Sequence, residues 1–435
     1  MHADHPDTAT ATATRRALLL GLAAAAALPL VGCAGDDGPE LVTAADVDRV
    51  APPADAPVAT SVDGVAAFGH RLMQAAAEPG ANFVASPLSI ALAFSMVRVG
   101  AGSTTAKELD AAFGFPAQGR DEAYNAISGQ LATVDIPPKP KKGPRDPSAK
   151  RTPPVVSIGN ALFPQQGFQV GEAFLRTLAE QYAAGVRPVD FGGDAADQIN
   201  TWVDRQTAGR IAKVFDSLPA TTKLVLANTV YFKADWHSYF LDVADAAFTK
   251  ADGTVVRTPT MRNGLRIRYA ETAGIAAIEL PYAEGPYAMW LMLPPSGGKP
   301  EDALAHQVLA RLRDSFTELQ VDVAVPKWDF DFSIDLRTTL AKLGVSAAFD
   351  AGADFDGIAP GLFISAAVHK ANITVDEYGT EAAAVTGLAM AMSGPPPTQA
   401  TFVADRPFAF AVVGGKDRVP LFIGRVSDPS AKRSS

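Results

Sequence analysis

Apolar residues recur at helical spacing through much of the first half of the chain, and at strand spacing or in solid runs through the second. Over residues 61–78, Val62, Val65, Phe68, Leu72 and Ala76 form one stripe with His70 and Arg71 off it, which predicts a helix. Residues 83–85 make a short apolar strand. Ser86 and Pro87 then open a helix to residue 99, Ser86 as N-cap and Pro87 in the first turn. That helix is apolar nearly all round, so burial is expected. Ser103 starts another, in which Ala106, Leu109 and Phe113 repeat. Residues 155–163 alternate as a strand, and 172–182 and 195–207 read as helices. Residues 224–232 are apolar except for Asn228 and Thr229, the mark of a central strand buried on both faces. Strands are predicted at 276–280, 287–293 and 319–325, a helix at 336–343, and the last strands within 362–375 and 408–424. Helices dominate early and strands late, without strict strand–helix alternation, which favours an α+β fold over a doubly wound one. No internal repeat and no domain-splitting linker is visible after residue 60.

One stretch fits neither pattern. Residues 377–393 read EYGTEAAAVTGLAMAMS and lie between two segments patterned as buried strands. Compact domains rarely hold loops longer than about 12–15 residues unless these are functional or disordered, and this one is too apolar and alanine-rich for an ordinary disordered linker. Counted by twos, Thr380, Ala382, Ala384, Thr386, Leu388 and Met390 share one face, uncharged and small as far as Leu388. Glu381, Ala383, Val385, Gly387, Ala389 and Ala391 share the other. Such a segment could enter a sheet as a strand, small residues inward and Glu381 toward water. The alternative from this pattern alone is a frayed alanine-rich helix, which Gly379, Thr380, Val385, Thr386 and Gly387 would interrupt.

Charge narrows the partners. With 38 basic against 47 acidic residues the net charge is −9, which argues against nucleic acid, whose phosphates need basic clusters. The one strongly basic run, 139–151, is flanked by Pro137, Pro138, Pro153 and Pro154 and reads as an exposed, extended insertion over 137–154, with a polyanion site there as the alternative. The N-terminus is read as an export signal over 1–32: Arg15 and Arg16 resemble a twin-arginine signal, and the apolar run after them is too short for a convincing membrane span. Leu30-Val31-Gly32-Cys33 resembles a bacterial lipobox, so Cys33, the single cysteine, is the expected lipidation site and the only expected link to a membrane. Residues 33–60, rich in Asp, Pro and Ala, are expected to be a flexible tether. The protein is therefore expected to be exported, anchored to the cell envelope or extracellular.

Catalytic motifs are missing. There is no G-x-S-x-G, H-E-x-x-H or phosphate-binding glycine loop. Past the signal the histidines are His70, His237, His306 and His369, none at metal-ligand spacing to another His or to Cys. Ser86, His369 and Asp376 could be drawn as a triad, but Ser86 reads as a helix cap and nothing marks an oxyanion hole. Ser89, Asn228 and His369, polar within apolar elements, read instead as a buried hydrogen-bond network. No enzyme, metal or cofactor is expected.

The motifs together resemble those of the serpins over roughly residues 62–429. Asn82 to Ile90 (NFVASPLSI) matches the serpin NxxxSPxSI element, and Ile199-Asn200-Thr201-Trp202-Val203 with Thr207-Ala208-Gly209-Arg210-Ile211 resembles INxWVxxxTxGKI. Leu226 to Trp236 (LANTVYFKADW) is similar to LVNAIYFKGxW, and Glu279-Leu280-Pro281-Tyr282 and Val325-Pro326-Lys327-Trp328 also fit. His369-Lys370-Ala371, the run from Asp376 to Thr386, Ala404-Asp405-Arg406-Pro407-Phe408 and Phe422-Ile423-Gly424-Arg425-Val426 with Asp428-Pro429 complete the order.

That resemblance implies a serpin domain over 61–430: a central mixed sheet, two smaller sheets, about nine helices and an exposed reactive loop over 377–403. A serine protease would attack the loop, form an acyl-enzyme and be trapped in a covalent complex as the cut loop inserts into the main sheet; serpin loop insertion is a known instance of strand addition and strain release. A monomer is expected. Glu377, Gly379, Thr380, Ala382, Ala383 and Ala384 match the hinge of inhibitory members, while Tyr378 departs from the usual Glu, Lys or Arg. Counting from Glu377 places the scissile bond between Ser393 and Gly394, but the loop looks longer than in familiar members, leaving Met392–Ser393 and Met390–Ala391 as alternatives. With no Arg or Lys over 379–403, elastase-, chymotrypsin- or subtilisin-like targets are expected rather than trypsin-like ones. A cysteine protease target, or a non-inhibitory binding or storage serpin, remain the alternatives. Ser86, Ser89, Asn228 and His369 match the polar cluster that controls sheet opening, and Trp236 the aromatic residue where insertion begins.

Overall fold

The helix opened by Ser86 and Pro87 is the spine of the fold. The Ser86 Oγ accepts the Ser89 N–H at 3.1 Å, and every residue from Pro87 to Val97 is buried, with one sheet on either side. The computed structural model describes residues 38–131, 133–134, 136–139, 151–240, 242–380 and 397–431. Among these are eight α-helices: α1 (Val58–Ala76), α2 (Pro87–Arg98), α3 (Ser103–Phe113), α4 (Arg120–Gly129), α5 (Glu172–Thr177, running into a π-helical turn Leu178–Tyr182), α6 (Ala195–Gln206), α7 (His306–Ser315) and α8 (Leu336–Lys342). The strands are β1 (Phe83–Ala85), β2 (Val155–Pro164), β3 (Leu224–Asp235), β4 (Asp242–Thr249), β5 (Val255–Thr272), β6 (Ile275–Pro281), β7 (Ala288–Leu293), β8 (Thr317–Pro326), β9 (Trp328–Asp335), β10 (Ala366–Asp376), β11 (Gly379–Thr380), β12 (Ala400–Val403), β13 (Phe408–Gly414) and β14 (Val419–Val426).

They form two sheets. The first runs β2-β3-β11-β10-β9, and is mixed because β3 and β10 are parallel. The second runs β1-β14-β13-β7-β6-β5-β8-β12, with β4 also on β5; the 18-residue β5 joins what the resemblance described as two smaller sheets into one path. The α+β class and mixed central sheet agree with the reading of the sequence.

The stretch read as a flexible tether behaves differently over its described part, 38–57. Val42 and Val186 exchange backbone hydrogen bonds at 2.8 and 2.9 Å, and the Arg49 guanidinium donates to Asn125 Oδ1 and to the Asn125 carbonyl, both at 2.8 Å. The first helix then starts at Val58 rather than 61. Residues 1–37, with the expected signal and Cys33, lie outside the described residues, as do 140–150 of the basic insertion.

Candidate functional site

Among the described residues, the first sheet leaves a slot between β3 and β10. β3 and β10 pair in parallel only from Val225/Ala366 to Thr229/Lys370. At the far end β11 lies between them: Gly379 and Thr380 pair with Asp235 and Ala234 on one side and with Asp376 and Val375 on the other. The intervening residues, 230–233 of β3 and 371–374 of β10, have no ladder partner across the slot among the described residues.

A polar cluster sits at the closed end. Asn228 and His369 face each other in register, one pair before the ladder stops. The Ser86 N–H donates to His369 Nε2 at 3.0 Å, so Nε2 is unprotonated; Nδ1 then carries the proton toward Asn228 Oδ1. Asn228 Nδ2 donates to Ser89 Oγ at 2.7 Å and to Asn160 Oδ1, and Ser89 Oγ donates to the Thr229 carbonyl at 3.2 Å. The network ties α2 to β2, β3 and β10. It is no catalytic relay: the Ser86 Oγ caps its helix, and Asp376 is spent on the Tyr378 and Gly379 N–H groups. Among the described residues no His/Cys/Asp/Glu group could hold a metal, and no helix is long and apolar enough to cross a membrane.

Burial pushes His369 down to about 3. Between the ordinary 6.5 and about 3, the unfolded chain takes up a proton here that the folded chain refuses. The stability owed to this residue is complete above pH 6.5 and is lost as pH falls through that window, by up to about 1.4 kcal/mol per pH unit. Asp376 opposes it, since burial, resisted by the two N–H groups, pushes its carboxyl up to about 6; its contribution is full below 3.8 and lost as pH rises through 6. Comparing His369→Leu with the parent isolates the histidine: the parent's urea midpoint should fall more steeply between pH 6.5 and 4, and parallel profiles would refute the assignment.

The other end of the slot holds Glu377, Gly379 and Thr380, the described part of the expected hinge. Gly379 is required there, because a Cβ would collide with the Ala234 carbonyl. Thr380 is buried and its Oγ1 shares a 2.7 Å hydrogen bond with the Tyr282 hydroxyl. Tyr282 stacks on Trp236 (centroids 4.6 Å apart, planes at 11°), and Trp236 Nε1 donates to the Asp376 carbonyl at 2.9 Å. Glu377 forms an ion pair with Lys327.

The structure thus brings Ser86, Ser89, Asn228 and His369 together, and sets Trp236, Glu377, Gly379 and Thr380 at the opposite end of the slot. Ala382, Ala383 and Ala384, and the candidate bond residues Met390, Ala391, Met392, Ser393 and Gly394, lie outside the described residues. Reading the sequence missed the parts played by Asn160, Tyr282 and Lys327. The last two stand inside quoted motifs, but only the fold shows what they touch.

Comparison with known proteins agrees with this geometry. A family model described as Serpin (serine protease inhibitor) matches residues 63–429. The chain is 33% identical to the leukocyte elastase inhibitor of Bos taurus over 372 residues, covering 81% of this chain and 94% of that one. Its fold is similar to that of tengpin, a thermophilic serpin in the native state (TM-score 0.74, 25% identity, 84% of this chain and 94% of that one). It is also similar to a thyroxine-binding globulin complex with thyroxine (TM-score 0.72, 26% identity, 86% and 99%), so the fold is shared by a protein that binds a small molecule. The protein belongs to the serpin family.

Proposed function

We propose that this protein is an irreversible, single-use inhibitor of serine endopeptidases with elastase-, chymotrypsin- or subtilisin-like pockets. The protease serine attacks a loop carbonyl between 390 and 394; the peptide bond breaks, an ester to the protease forms, and the new amine leaves with the proton. The loop from Thr380 onward then enters the slot as a strand, carrying the acylated protease with it before water can cleave the ester. The observation that supports this reading most is the seating of Gly379 and Thr380 between β3 and β10 while both strands remain apart beyond them. Export and anchoring through Cys33 complete the proposal and rest on the N-terminal sequence.

Incubation with elastase, chymotrypsin, subtilisin and trypsin tests it. A denaturant-stable complex with at least one of the first three is expected, and none with trypsin, since 379–403 offers no Arg or Lys. Cleavage without a complex, and with no rise in heat resistance afterwards, would overturn trapping and leave a binding or storage role.

A further inference from the structure

Tyr378 stands where related hinges carry a charged residue, and the structure gives it a specific seat. It is buried, and its ring meets that of Tyr239 edge-on, centroids 5.2 Å apart and planes at 79°. On Tyr239 lies the Arg151 guanidinium, 4.5 Å from the ring centroid, which also donates from Nε to the Trp236 carbonyl at 3.1 Å. Backbone bonds hold the same place: Trp236 N–H to the Tyr378 carbonyl at 2.8 Å, and Phe240 N–H to the Glu377 carbonyl at 3.0 Å. The neighbouring Thr152 N–H donates to Asp235 Oδ2 at 3.0 Å, and Asn263 Nδ2 to the Tyr239 carbonyl at 2.8 Å, so Arg151 and Tyr239 are themselves fixed.

We propose that Tyr378, layered through Tyr239 onto Arg151, is the anchor from which the cut loop zips into the sheet, and so a positioning residue that sets how often a protease is trapped rather than released. The inference rests on the trapping reading above. Its physical basis is register. A strand that slips by one residue turns every side chain to the opposite face. With Tyr378 fixed, Thr380 faces inward, and in the inserted strand the two-residue alternation would turn Glu381 the opposite way; a slip would send the Glu381 carboxylate into the core. A fixed start also means that ends need not find each other before pairing, and each added residue forms its pairs at once. Arg151 closes the basic run 139–151.

The test compares the parent with Tyr378→Ala, Tyr378→Phe and Arg151→Gln. The first readout is the number of inhibitor molecules consumed per protease inactivated. It should rise about tenfold in Tyr378→Ala and about threefold in Arg151→Gln, and stay near the parent value in Tyr378→Phe, which keeps the ring. Total loop cleavage should be unchanged in all, because the cut bond lies more than ten residues further along; a merely structural role would not move the ratio at constant cleavage. The second readout is how fast a chain nicked in its loop becomes heat-resistant, which should slow by the same factors. Unchanged ratios and unchanged conversion in the two disruptive variants would overturn the anchor. If Tyr378→Ala does not fold, Arg151→Gln, at a half-buried position, decides alone. If the parent traps no protease, the trapping reading falls, and the nicked-chain rates still decide the anchor.

Discussion

Thr380→Arg is expected to turn the trap into a plain substrate. The loop should be cut at the parent rate, while the fraction of encounters ending in a covalent complex falls to about one in a hundred or less. Thr380 is 3% exposed and its hydroxyl is taken up by Tyr282, itself stacked on Trp236. A guanidinium buried at this position must leave its water, a cost of several kcal/mol, where each 1.4 kcal/mol is tenfold in partition between insertion and hydrolysis. In the uncut chain the arginine can swing outward at the cost of the two-residue β11, so folding should survive. Thr380→Ser, which keeps the hydroxyl, should trap nearly as well as the parent. Gel assays of complex against cleaved chain measure both. Undiminished complex formation by Thr380→Arg would show that this residue does not face inward during insertion, and the two-residue alternation read across the loop would fall with it.

That alternation is a property of the sequence, small residues at one set of alternate positions and the charge at the other, and of it only Gly379 and Thr380 fall within the described residues. The core was legible because α2 and β3 are apolar on all sides, so their burial follows from composition, and the polar exceptions Ser89, Asn228 and His369 mark the network. Other elements hid behind mixed surfaces. β5 alternates, but its outward positions include Arg257, Arg262 and Arg266 with Gly264 between them, so no apolar run appears. β9 places Asp329, Asp331 and Asp335 among its apolar residues, and Asp is poor in strands. The helix α7 buries only Leu309 and Leu312. Residues 38–57 looked like a linker because their hold is long-range: Arg49 reaches Asn125, and Val42 reaches Val186. The slot could not be read at all, since it is a property of where two strands, more than a hundred residues apart in the chain, stop pairing. Motif resemblance bridged that gap by pointing to both ends of it.

Glu377→Lys should have the second largest effect, this time on the uncut chain. Glu377 follows β10 directly, and Lys327 is the corner between β8 and β9, so their ion pair ties the top of β10 to the neighbouring strands. Glu377 is 7% exposed, so little water is present to screen two ammonium groups placed there. Breaking a buried pair costs about 3–5 kcal/mol, which for a chain of this size corresponds to a fall in thermal midpoint of about 4 °C or more. The damage is local: the top of the slot splays, and two strand edges open toward solvent. Open edges accept any extended segment that presents itself, including the loop of another copy. Warming should therefore drive Glu377→Lys into oligomers, seen as earlier elution on size exclusion, under conditions where the parent stays monomeric. The double variant Glu377→Lys with Lys327→Glu restores the pair with its ends exchanged, and should recover most of the midpoint and suppress the oligomers. If the double variant is as unstable as the single one, the two charges are not coupled, and the top of the slot is held by the Trp236 and Tyr282 stack and the backbone bonds to 376–378 alone.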